Sequence, residues 1–136
     1  MRDVNVSEIT KNIKEMCIQA NHYLSADMDA AMKHAADTEQ SELGKKILHQ
    51  LQDNLKIADE EMIPICQDTG MAVIFLEVGQ DVHFEGAAIE NAVNEGVRQG
   101  YTEGYLRKSV VKDPIERVNT KDNTPAIIHY NIVPGE

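Results

Sequence analysis

The sequence predicts an α+β fold, in which a helical N-terminal layer precedes a small strand–helix–strand unit. Three observations predict it. Apolar residues recur at helical spacing through roughly the first sixty positions. Two short apolar blocks, MAVIFLEV and AIIHYNIV, have the length and content of strands. Between them lies a segment with a small residue at every fourth position.

The first helix is expected from Ser7 to Leu24, where Ile9, Ile13, Met16, Cys17, Ala20 and Leu24 share one face. A second follows from Ser25 to about Ala36. Ser25 is placed to cap it, and Asp27 and Asp29 suit the positive end of its dipole. A third is expected from Glu42 to Glu60, capped by Ser41, with Leu43, Ile47, Leu48, Leu51, Leu55 and Ala58 as its stripe.

Met62 to Gly70 contains a proline and ends in glycine, so it reads as a loop. Met71 to Val78 is nearly continuously apolar, as a strand buried on both faces would be. A turn is expected at Val78 to Asp81. A helix is then expected from Gly86 to about Tyr105. On it Ala88, Ala92, Gly96, Gly100 and Gly104 form one smooth strip, where a sheet or another backbone can approach closely. Asp113-Pro114 signals a turn, and the polar run Asn119 to Pro125 a loop. Ala126 to Val133 reads as the closing strand. Residues 1–136 thus read as one partial domain, helical over 1–61 and strand–helix–strand over 62–136. A two-stranded sheet is marginal alone, so further sequence or a partner is expected to complete the core.

Bulk properties exclude several classes. The formal net charge is −10, which disfavours nucleic acid and anionic membranes as partners. No apolar run has the length of a membrane span. The N-terminus lacks the apolar segment of a secretion signal. Two cysteines are too few for a disulfide scaffold, so a reducing cytoplasm is the expected compartment.

Three segments could carry chemistry. The first is Pro64-Ile-Cys66-Gln67-Asp68-Thr69-Gly70. A thiol beside two polar residues in a loop can act as nucleophile, redox thiol or metal ligand. None of the five histidines sits in a recognisable pairing with Cys66, and no CxxC is present. Cys17, on the apolar face of the first helix, reads as core, so any metal held by Cys66 needs ligands from elsewhere. The second segment is Leu106-Arg107-Lys108-Ser109. A guanidinium can grip a carboxylate through two parallel hydrogen bonds, although an isolated Arg-Lys pair is more often a solvated surface. The third is Asn119 to Pro125, whose short polar side chains are expected to build turns. His83 and His129 fall in or near strand patterns and read as structural.

PICQDTGMAVIFLEVGQDVH, followed by NEGVRQGYTEGYLRKSVVKDPIERVNTKDNTPAIIHYNIVPG, resembles the alpha subunit of two-subunit class I (iron–sulfur) fumarate hydratases. The resemblance is strong from about Met62 to Gly135. It implies a hydro-lyase interconverting fumarate and (S)-malate, with a [4Fe–4S] cluster on three cysteines and one iron open to substrate. It implies Cys66 as one cluster ligand, Gln67 and Asp68 facing the substrate, and Arg107 as an anchor for the dicarboxylate. Asp68 is the implied candidate for proton handling or hydroxyl positioning. The family's alpha subunit continues past the length of this chain to further cluster cysteines. It works with a beta subunit or a fused beta-type domain, in an oligomer. The resemblance therefore implies a cytoplasmic, heteromeric enzyme whose 136 residues are not active alone. Tartrate dehydratase shares the cysteine motif and is the alternative. A non-catalytic assembly module, docking through the Gly96/Gly100/Gly104 strip, is the reading from another class.

Overall fold

A computed structural model describes residues 1–136. Eight elements follow in order: β1 (Arg2–Asn5), α1 (Val6–His22), α2 (Ala26–Thr38), α3 (Glu42–Glu61), β2 (Val73–Gly79), β3 (Val82–Glu85), α4 (Ile89–Glu103) and β4 (Ile127–Val133). The α+β class and the three N-terminal helices stand as the sequence predicts.

The caps explain where the helices begin. Asn5 accepts a hydrogen bond from the Ser7 N–H at 3.0 Å and starts α1. Ser41 does the same for α3, from the Gly44 N–H at 3.3 Å. Ser25 stands at the cap position of α2 but makes no capping bond. Its hydroxyl bonds Asp27 instead, which with the backbone N–H groups holds that carboxyl below its ordinary range. Met62 ends α3 in the left-handed conformation, φ 51°.

The core is built where α1 crosses α4. Ile13 and Cys17 of α1 meet Val97 and Tyr101 of α4, closed off by Ala72 and Leu106. The small-residue strip is the reason the helices meet so closely. A Cβ on Gly96 would stand 2.6 Å from the Thr10 carbonyl oxygen, and one on Gly100 would stand 2.8 Å from the Cβ of Cys17. The strip is therefore filled by the chain's own α1. This corrects the expectation that it could dock a partner.

Two strands escaped the sequence reading. β1 and β3 pair in parallel, Asp3 opposite His83 and Asn5 opposite Glu85. The N-terminal segment is thus not purely helical. The expected turn narrows to Gln80 and Asp81, and α4 starts at Ile89 rather than Gly86, because β3 occupies the residues between. β2 and β4 pair in parallel over their whole length, Val73 opposite Ile127 through Gly79 opposite Val133.

β2 also corrects an expectation. It is covered on one face only. Ile74 packs on the core, while Phe75 is 76% exposed and stacks on His129 at 4.9 Å between ring centroids. Within these residues the sheet has two strands and one layer against it, so its second face is open here.

Candidate functional site

The cysteine motif lies on the loop between α3 and β2, and that loop is held at both ends. Before Cys66, the Ile65 N–H donates to the Asn21 carbonyl at 2.9 Å, and Asn54 Nδ2 donates to the Ile65 carbonyl at 2.9 Å. After it, Thr69 Oγ1 accepts from the Arg107 N–H at 2.9 Å and donates back to the Arg107 carbonyl at 3.3 Å. The Tyr101 hydroxyl lies 3.3 Å from the Thr69 carbonyl and 3.2 Å from that of Gly70. Burial raises the Tyr101 pKa above its ordinary value, so the hydroxyl keeps its proton for this contact. Gly70 turns the chain into β2 with φ +64°. No atom crowds its missing Cβ, so it is the left-handed backbone that favours glycine here.

Arg107 follows Tyr105, a left-handed residue after the end of α4 (φ 55°), and Leu106, whose side chain is sunk in the core. The buried leucine pulls one side of the turn inward and leaves Arg107 on the other side. The two loops then face each other across an open cleft of about 400 Å³. It is lined by Ile63, Pro64, Cys66, Gln67, Thr69, Tyr105 and Arg107. Arg107 enters none of the chain's ion pairs.

Of the residues singled out in the sequence, Cys66, Gln67 and Arg107 are brought together. Asp68 is exposed and does not line the cleft. Cys17 is the core residue its position predicts: burial pushes its thiol up to about 11. His129 stacks on Phe75, and His83 Nδ1 lies 3.1 Å from Asp3 Oδ1 across the β1–β3 pair. With Glu85, these two form an exposed group whose ligand atoms all lie within 4.8 Å of one another. It belongs to the strand pair rather than to the cleft.

The run from Asn119 to Pro125 does build turns. Asn119 Oδ1 accepts from the Lys121 N–H at 2.6 Å, and Asp122 Oδ1 from the Thr124 N–H at 3.1 Å. The turn at Asp113 is closed the same way, by the N–H groups of Ile115 and Glu116. Asn123 is different, because its side chain is fully buried and bonded to two other loops. Thr69, Tyr101, Tyr105 and the asparagines at 21, 54 and 123 all shape the cleft; the sequence reading placed Thr69 in the cysteine segment and Asn123 in a turn-building run, and gave the others no role.

A thiolate is a ligand of soft metals and iron–sulfur clusters. The cleft suits such a group to the extent of one donor, since Cys66 is exposed in it and Cys17 is locked in the core. A guanidinium on the facing wall suits an anionic ligand.

Residues 10–136 match the family model described as Fumarate hydratase (Fumerase). The chain belongs to the fumarate hydratase (fumarase) family. It is 36% identical over 117 residues to a putative L(+)-tartrate dehydratase subunit alpha of Methanocaldococcus jannaschii, covering 85% of this chain and 41% of that protein. It is 38% identical over 109 residues to the anaerobic class I fumarate hydratase of Escherichia coli K12, covering 79% of this chain and 19% of that protein. The L(+)-tartrate dehydratase subunit alpha of the same strain is 28% identical over 119 residues, covering 88% of this chain and 39% of that protein. The chain thus spans about two fifths of the tartrate relatives and about a fifth of the fumarate one.

Proposed function

We propose that this chain forms one wall of the active site of an iron–sulfur hydro-lyase that reversibly hydrates fumarate to (S)-malate. Cys66 is one of three cysteine ligands to a [4Fe–4S] cluster. The other two, and further substrate contacts, come from outside these 136 residues. The cysteines belong to further alpha-subunit sequence, and the substrate contacts to a beta subunit or beta-type domain, in an oligomer. The single observation that carries the reading is the cleft that sets Cys66 and Gln67 opposite Arg107 in a chain of this family.

When bound, the cluster supplies a Lewis acid that polarises the substrate's carboxylate and hydroxyl. The chain's own residues do the rest of what this wall can do. Arg107, free of ion pairs, binds a substrate carboxylate in a fork of two hydrogen bonds. Gln67 donates or accepts a hydrogen bond beside it and orients the carbon skeleton. Asp68, next along the loop, positions the hydroxyl or handles a proton at it. Water adds across the double bond, its hydroxyl going to one carbon and a proton to the other.

A second reading is L-tartrate dehydration, supported by the tartrate subunits to which this chain is similar over most of its length. Both substrates are dicarboxylates and both suit Arg107. The test is anaerobic co-production of the whole alpha polypeptide with its beta partner, reconstitution with iron and sulfide, and assay of malate formation, with Cys66→Ser alongside. Loss of activity together with the cluster's visible absorbance supports the proposal. A cluster that survives the substitution removes Cys66 as a ligand. Turnover of tartrate without fumarate keeps the chemistry and changes the substrate.

A further inference from the structure

Cys66 and Arg107 stand on different loops, separated along the chain by β2, β3 and α4. The width of the cleft between them depends on what ties those loops together. Thr69 ties them directly, through the Arg107 N–H and carbonyl, and a residue on a third loop ties them a second time. Asn123 is 0% exposed. Its Oδ1 accepts from the N–H groups of Ser109 at 2.7 Å and Val110 at 3.0 Å. Its Nδ2 donates to the Gly70 carbonyl at 3.1 Å. One planar amide therefore bonds the strand-entry end of the cysteine loop and the stretch that follows Arg107. Its backbone is left-handed, φ 62°, which asparagine tolerates better than most residues.

We propose that Asn123 is a positioning residue of this cleft, a crossbrace that acts beside Thr69 to fix the Arg107 wall against the Cys66 wall. The kinetic part of this inference rests on the proposed function, in which Arg107 receives a substrate carboxylate. Asn123 does not line the cleft and acts only through the two loops it joins. The bond pattern makes it specific for an amide. Aspartate keeps the acceptor for Ser109 and Val110 but sets an oxygen against the Gly70 carbonyl and buries a charge. Alanine leaves the Ser109 and Val110 N–H groups without a partner, while the Gly70 carbonyl keeps only the Tyr101 hydroxyl.

The experiment compares Asn123→Ala and Asn123→Asp with the unaltered protein in the assembled, reconstituted enzyme. KM for the dicarboxylate is expected to rise on the order of tenfold, with a smaller fall in kcat. Hydrogen exchange at the Ser109 and Val110 amides is expected to speed up while that of α1 and α4 stays slow. A fall in kcat at unchanged KM, following the folded fraction alone, overturns the proposal. So does unchanged protection of Ser109 and Val110. If the unaltered enzyme hydrates neither fumarate nor tartrate, the functional reading fails by itself. The crossbrace is then decided by exchange and by the rate at which iodoacetamide alkylates Cys66. A change in both on Asn123→Ala supports it, and no change in either one overturns it. Should the alanine variant not fold, Asn123→Ser, which retains a shorter acceptor, is read by the same measurements.

Discussion

The α1–α4 seam and the β2–β4 sheet are made of similarly apolar sequence and end in opposite conditions. In the seam, Val93 and Val97 are completely buried. In the sheet, Phe75 and Ile132 stand mostly in solvent. The difference is the number of layers. Each seam helix has a partner shaped to its face, with glycines admitting the neighbouring backbone. The sheet has a layer on one side and open edges, since each of its strands has one neighbour. Apolar content alone does not secure burial; a second surface of the right shape does.

The comparison can be broken most directly in the seam. Gly96→Leu must push α1 away from α4, and about 3 kcal/mol of stability is expected to be lost, read as a lower denaturant midpoint. Val97→Ala leaves a cavity at a fully buried site and is expected to cost about 2 kcal/mol on the same assay. Alkaline pH tests the seam without a substitution. Cys17 has its pKa raised by burial from 9.0 to about 11, so the folded form holds the thiol proton more tightly than the unfolded form. The stability this contributes is fully present below pH 9 and is lost as pH rises through about 11. A thermal midpoint that falls over that window, and falls less in Cys17→Ala, is the expected result. The sheet should respond least. Phe75→Ala is expected to change stability by no more than about 0.5 kcal/mol, because its ring is already in water. A large loss there would mean that the sheet is covered after all.

The same contrast separates what was legible in the sequence from what was not. Helices announce themselves locally: the spacing of Ile9, Ile13 and Cys17 and the cap at Ser41 need no knowledge of the rest of the chain. The buried, inert state of Cys17 follows from that same spacing. β1 and β3 do not announce themselves, because the partner of Asp3 lies 80 residues away. One clue was present. Val82 and Phe84 are half-buried while His83 and Glu85 are exposed, an alternation of period two. In the candidate site, Cys66, Gln67 and Arg107 were visible through their chemistry and their motifs. Asn123 was not, because an asparagine that makes a turn and one that joins two loops are the same letter until the other loops are in place.

The parallel pairing of β1 with β3 sets a schedule for the growing polypeptide. At roughly 5–20 residues per second, β1 leaves the ribosome about 4–16 s before the strand that completes it. α1 waits longer still for α4. Throughout that interval the apolar stripe of α1 has no glycine-lined surface to close against. The stripe of α1 therefore stays uncovered by α4 until after the cysteine loop has been made.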